Sequence, residues 1–413
     1  MDPSVEGGED PVRVAAVVKL GGAAVTWKGE FETLDEHALK KCALAIGEGV
    51  RVEKELMSRK RKRKEPAGRP KGFVVVHGAG SFGHFQARQY GVSKGVPPRD
   101  TSAASCSSGL DTAPTLMSES STLLRGVAYT RQSVTTLNQK VVAALLAEGV
   151  PAVGMSPFGG WRTNSGAVTD AADAVRSVRA AVAAGLVPVL HGDVVLDDLR
   201  GCAILSGDTI THELAAAMRP DRVVFLTDVA GVFTRPPEVD KHAVLLRRIV
   251  VGNTEDATNS TDWHVEEVRL TKQSSETFVD SRGCARERIR SRDNVNDWHP
   301  VQSNERRSLK IGGLAWTFSD EAAAALAAFA GVVGTTGADV TLGTAANDVT
   351  GGMAAKVNEA GAAARLGIDV YIAAAGTEDG KRAVVGYELL CDNSHSDLLS
   401  ARGWLGTHLR KAA

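Results

Sequence analysis

Cysteine is scarce in this sequence. The five present, Cys42, Cys106, Cys202, Cys284 and Cys391, have neither C-x-x-C spacing nor a compact even framework. That pattern argues against structural disulfides and a zinc site, and for a reducing compartment. A surplus of charge of one sign is also missing. The formal net charge is -1, so no basic field marks nucleic acid or a membrane surface as the main partner. No apolar run reaches the roughly 18 residues that a membrane span requires. The N-terminal stretch MDPSVEGGED is acidic and lacks the apolar segment of a secretion signal. These absences leave a cytoplasmic protein with a small soluble ligand as the expectation.

What is present is ample apolar material, 43% of 413 residues, enough for a large core. At about 150 residues per domain, the length allows two or three domains. Short β-branched runs end at Gly, His, Thr or Asp: VRVAAVVKLGG, GFVVVHGAG, LVPVLHGD, DRVVFLTD and GIDVYIAA. Such runs suit strands buried on both faces, and Ala-rich helical stretches such as VVAALLAEGV and AAVAAGLV lie between them. The pattern predicts an α/β fold with a mostly parallel sheet. Ligands in such sheets sit beyond the carboxyl ends of the strands, where each run places its polar residues.

Three segments depart from the pattern and read as insertions, 53–71, 99–125 and 252–338. The first holds the run RKRKRK, Arg59 to Lys64; the second is rich in Ser and Thr; the third begins polar and charged and ends Ala-rich. The basic run suits a nuclear-import or anion-binding patch, but its composition favours a solvated charged loop.

Gly78 to Gly83 formally matches the G-x-G-x-x-G fingerprint of dinucleotide-binding folds. That fold also needs an acidic residue ending a second strand about 20 residues on. Here Asp100 follows two prolines and no strand, so the dinucleotide reading lacks its second requirement. The loop does offer backbone N–H groups at the start of a helix, suited to a phosphate, with His84 directly beyond. A second glycine loop, Lys19 to Thr26, is followed by Lys28, and a third, Asp348 to Met353, precedes Lys356 by a helical turn. A Walker loop is absent. His77 and His191 read as structural residues at strand ends, bonded to nearby backbone.

KLGG, HGAGSFGH, VPAVGMSPF, VPVLHGDVVLD, ILSGD, FLTDVAGV and DVTGGMAAK stand in the order found in the amino-acid-kinase superfamily. Together they resemble the isopentenyl phosphate kinases of that superfamily, over nearly all the chain outside the three segments. The resemblance implies an open three-layer α/β/α sandwich over residues 12–413, with an acceptor lobe at 12–205 and a nucleotide lobe at 206–413. It further implies a homodimer, and ATP with Mg2+ phosphorylating isopentenyl phosphate to the diphosphate for isoprenoid synthesis. By motif position, Lys19, Gly21, Gly22, Ala23, Gly80, Asp228, Gly352 and Lys356 would contact the nucleotide. Ala79, His84 and Gly207 would contact the acceptor. Lys28 would stabilise the transition state, and no metal ligand is assigned. Ala23 stands where Ser is common and Ala79 where Gly is common, yet each keeps its backbone N–H.

Transfer between two phosphates needs cations and N–H donors more than a covalent nucleophile. Lys19, Lys28 and Lys356 meet that need if their loops converge. His84 as an imidazolium would pair with a phosphate dianion, which in turn raises its pKa from about 6.5. Asp208 is the expected organiser of the lysines. Asp193 reads as an assistant or as a ligand to metal through water, or almost as readily as a surface turn residue. Phe82, Met155 and Phe158 lie near the loops that would meet a prenyl tail, with core packing as their expected role. Three alternatives remain at this point: another kinase of the superfamily acting on a carboxylate, carbamate or phosphonate, a nonenzymatic nucleotide-binding protein, and, last, an NAD-dependent oxidoreductase.

Overall fold

The computed structural model describes residues 12–63, 70–95, 113–234, 237, 243–252, 263–270, 272–279, 285–292, 307–311, 314–318, 322, 352–386 and 404–412. Among them the strands are β1 (Val14–Leu20), β2 (Gly72–His77), β3 (Ala152–Gly154), β4 (Arg162–Asn164), β5 (Ala167–Asp170), β6 (Val187–His191), β7 (Asp193–Asp197), β8 (Gly201–Leu205), β9 (Arg222–Thr227), β10 (Val232–Phe233), β11 (Val244–Val251), β12 (Trp263–Leu270), β13 (Lys272–Val279), β14 (Ala285–Arg292), β15 (Arg307–Ile311), β16 (Leu314–Phe318), β17 (Asp369–Ala374) and β18 (Thr407–Lys411). The helices are α1 (Gly22–Val25), α2 (Glu36–Lys62), α3 (His84–Gln89), α4 (Ala113–Ala147), α5 (Ala172–Ala183), α6 (Gly207–Met218), α7 (Gly352–Arg365) and α8 (Glu378–Val385).

All five β-branched runs form strands, and they lie side by side. The order β17-β9-β1-β2-β6-β3 is parallel throughout. Beyond β17 the sheet continues through β18, β11, β12, β16 and β15 with mixed directions. A smaller sheet, β5-β4-β7-β8, stands apart.

Alternation along the strands sends side chains to two separate cores. Val17, Val76 and Phe225 meet Val178 of α5, Leu214 of α6 and Ala360 of α7 on one face. Val18, Val75 and Leu226 meet Ile46 of α2, Leu137 of α4 and Val384 of α8 on the other. Each Val, Leu, Ile or Phe among them contributes ~1.5–3 kcal/mol on burial, so a sheet apolar on both faces holds a helical layer on each. The architecture is the expected α/β/α sandwich.

The three suspected insertions fare differently. Residues 53–62 continue α2, and Glu53 is buried. Lys and Arg are good helix formers, and Arg59 to Lys62 occupy the last turn, where the helix dipole favours cations. The expected loop is therefore helix up to Lys62; residues 64–69 lie outside the described residues. Residues 113–125 belong to α4, whereas 99–112 fall outside the described residues. In the third segment, Trp263 and Val265 of β12 enter the core, so these residues are part of the sandwich.

Candidate functional site

The carboxyl ends of the central strands are tied to one another by the residues that follow them. Gly21 N donates to Leu226 O (2.7 Å), Gly78 N to Leu20 O (2.9 Å) and Gly192 N to His77 O (2.9 Å). The turns after β1, β2 and β6 thus stack along the sheet edge. They touch backbone to backbone: a Cβ on Gly22 would lie 2.4 Å from Gly80 N. Gly80 itself has φ +54, and a Cβ there would lie 2.2 Å from Thr26 Oγ1, so glycine is required on both counts.

A cleft opens over these turns. Lys19, Gly22, Ala23 and Lys28 line one side; Ala79, Gly80 and His84 line another; Gly207 and Asp208 close it. Nine of the residues named from sequence therefore meet in one place. Gly21 lies directly beneath, its N–H spent on β9. Gly352 opens α7 and Lys356 follows a turn later, but the Lys356 side chain lies outside the described residues.

Lys19 ends up in the sheet because it occupies the next-to-last position of β1, and it is 3% exposed. A buried ammonium must be paired. Lys19 Nζ donates to Asp208 Oδ1 at 2.5 Å, across 189 residues of sequence. Asp208 is delivered by α6, whose first turn is capped by Ser206 Oγ accepting from Thr209 N (3.0 Å). Capping leaves the N–H groups of Gly207 and Asp208 as the ones that a helix start cannot bond internally. Lys28 sits on the loop after α1 and pairs with Asp228 at 3.3 Å, with side chains 40% and 37% exposed. Two lysine–aspartate pairs, one buried and one open, thus border the cleft.

Gly192 was missed by sequence reasoning. A Cβ built on it would lie 3.2 Å from Gly207 N and 3.8 Å from Ala79 N. The absence of a side chain there lets the turn approach these two backbone nitrogens, beside the Leu205 carbonyl oxygen at 3.5 Å from the same point. Its signal was the HGD triplet at the end of a strand, matching the HGA at the end of β2.

Asp193 is no surface residue. It is buried, accepting from Ser156 Oγ (3.2 Å), Arg131 Nε (3.4 Å) and Val194 N (2.8 Å). Burial pushes its carboxyl pKa up, partly offset by His191 and Arg131. Arg131 also stacks 3.9 Å over the Phe158 ring, so Phe158 is a surface platform and not core. Phe82 is buried in one core and Met155 packs against the other, as expected. The apolar wall of the cleft comes instead from Phe85, Val134 and Ile204. His77 and His191 do bond to adjacent backbone: Nδ1 of each lies 3.0 and 3.1 Å from Gly78 O and Gly192 O. Among the described residues no group of three or more His, Cys, Asp or Glu is arranged to hold a metal ion. Nor is any described helix long and apolar enough to cross a membrane.

A sheet edge of stacked glycine turns, a buried Lys–Asp pair and a helix start lining one cleft define a kinase of the amino-acid-kinase fold. The amino acid kinase family model matches residues 15–267, and the chain belongs to that family. The isopentenyl phosphate kinase of Arabidopsis thaliana is 42% identical over 259 residues, covering 58% of this chain and 71% of that protein. The isopentenyl phosphate kinase of Methanothermobacter thermautotrophicus is 32% identical over 246 residues, covering 58% and 76%. An X-ray structure of isopentenyl phosphate kinase shares the fold, with a TM-score of 0.52 at 23% identity, covering 90% of this chain and 96% of that one.

Proposed function

We propose that this chain transfers the γ-phosphoryl group of ATP to isopentenyl phosphate, giving isopentenyl diphosphate and ADP. The observation that carries the reading is the pair of backbone nitrogens, Ala79 N and Gly207 N, on either side of Gly192 in the same cleft as Lys19, Lys28 and His84. The two relatives that are 42% and 32% identical to this chain over 259 and 246 residues support it.

In this reading the acceptor phosphate is held by the Ala79 and Gly207 N–H groups and by His84. The five-carbon tail lies against Phe85, Val134 and Ile204, where its burial supplies ~3–4 kcal/mol. An acceptor oxygen attacks the γ-phosphorus, and the bond to the bridging oxygen of ADP breaks. Lys19, oriented by Asp208, and Lys28 neutralise charge on the moving group's oxygens; aimed donors of this kind are typically worth ~3–4 kcal/mol each. Gly22, Ala23 and Gly80 present backbone to the nucleotide phosphates, and Lys356 adds a third cation. On nucleotide binding Lys28 exchanges its exposed partner Asp228 for phosphate oxygens. Mg2+, when bound, would supply further charge neutralisation. This ion is commonly held by the substrate phosphates, one or two carboxylates and water, and would be so held here. A homodimer belongs to the same reading.

The test is ADP release by purified protein with Mg2+-ATP and isopentenyl phosphate, with mass spectrometry of the product. Isopentenyl diphosphate is the expected product. A folded protein that binds ATP and turns over another acceptor instead refutes the assignment.

A further inference from the structure

The mechanism above leaves unused the most deeply buried imidazole near the cleft. His77 is 0% exposed at the end of β2, two residues before Ala79. Its surroundings fix both ring nitrogens. Gly78 O, 3.0 Å from Nδ1, can only accept, so Nδ1 carries the proton. Asn138 Nδ2 lies 3.1 Å from Nε2 and also donates to Val189 O at 3.1 Å. The second bond fixes the orientation of the Asn138 amide, so Nε2 accepts. His191, one strand over, stacks on the ring at a centroid distance of 5.5 Å and keeps it from turning.

The bond to Gly78 O reaches the cleft through a single peptide plane. In a trans peptide the C=O of one residue and the N–H of the next point in opposite directions. A Gly78 carbonyl drawn towards the buried imidazole therefore turns the Ala79 N–H away from it, to the side where the cleft lies.

We infer that His77 is a positioning residue: protonated on Nδ1 alone, its imidazole holds the Gly78 carbonyl and so aims the Ala79 N–H at the acceptor phosphate. The inference rests on the proposed acceptor site and adds a residue to it. Burial, the neighbouring His191 and the charge of Lys19 push the His77 pKa down, to about 3, against the opposing bond to Gly78. The ring accordingly stays neutral over the working range of pH, and its two bonds settle which nitrogen carries the proton.

Two substitutions separate positioning from packing. His77→Phe keeps the ring and removes the donor; His77→Asn places an amide nitrogen near the Nδ1 position. The expected result for H77F is a KM for isopentenyl phosphate raised about tenfold, the scale of one lost hydrogen bond, with the KM for ATP unchanged. H77N recovers most of that loss. Equal changes in both KM values, or H77N as impaired as H77F, overturn the proposal. Should H77F not fold, nitrogen-15 spectra of histidine-labelled wild type decide: protonation at Nδ1 from pH 5 to 8 is expected, and an Nε2–H tautomer or a titration in that window overturns it. Titration with inorganic phosphate moves the Ala79 amide resonance of the wild type if the role is right, and a still resonance counts against it. Phosphate binding at Ala79 without turnover of isopentenyl phosphate sinks the assigned substrate but supports the role of His77.

Discussion

A methyl group on Gly192 would stand between the two N–H groups assigned to the acceptor phosphate. Its carbon would lie 3.2 Å from Gly207 N and 3.8 Å from Ala79 N, where a phosphate oxygen needs to come within ~2.9 Å of each nitrogen. Both bonds are lost together. Hydrogen bonds to charged groups are worth ~1.5–3 kcal/mol each, so the loss is ~3–6 kcal/mol. At ~1.4 kcal/mol per decade this lowers kcat/KM for the acceptor by ~100- to ~10,000-fold. The fold should be little affected, because Gly192 is not among the described glycines of positive φ and the methyl asks Gly207 to move by only a few tenths of an ångström. The assay is steady-state ADP release with varied isopentenyl phosphate, alongside thermal unfolding and ATP binding. A folded G192A protein with unchanged acceptor kcat/KM refutes the placement of the phosphate; a loss confined to ATP would move the nucleotide into that space.

Lys19→Met leaves the Asp208 carboxylate buried without its partner, which typically costs ~3–5 kcal/mol. Urea unfolding should show it, and adding Asp208→Asn should restore part of the stability without restoring activity. Lys28→Ala breaks an exposed pair worth at most ~1 kcal/mol yet should cost ~100-fold or more in kcat. A smaller loss in kcat removes Lys28 from the transition state. At Asp197, burial alone would raise the carboxyl pKa, but bonds from the Arg200, Gly166 and Leu199 N–H groups and the Thr163 hydroxyl outweigh it and bring it to about 2. The folded value lies below the unfolded value of ~3.9, so this stability is present above pH ~4 and is lost as pH falls towards 2. Asp197→Asn should be less stable at neutral pH and lack that slope; parallel acid curves for the two proteins would count against it.

The sequence was legible wherever chemistry followed a strand directly. Lys19, Gly22, Ala79 and His84 lie in or within seven residues of a β-branched run, and strand order alone brings such ends to one edge; Gly207 instead follows β8 of the smaller sheet. Burial was harder to read. Asp193 follows a strand like a turn residue, and only the approach of Arg131 and Ser156 from other elements makes it interior. Gly192 was passed over because its role is the space it leaves empty. The charged tail of α2 looked like a loop because composition reports solvation, and a solvated helix end shares it with a loop. The apolar wall fell to Phe85 and not Phe82 because the short turn before α3 points one ring inward and leaves the other 36% exposed.

β1 is paired on both edges, to β9 and β2, and covered on both faces. Amides in such a strand exchange with solvent only when the whole domain opens, whereas an exposed loop opens on its own at little free-energy cost. Lys19 rides on that strand and Lys28 on such a loop. The two cations therefore differ in how they fail. Mild denaturant should release Lys28 first, so that turnover fades while the circular dichroism signal still holds. Lys19 should leave its aspartate only in the final, global step, which makes deuterium uptake at β1 a direct reading of when the buried half of the site ceases to exist.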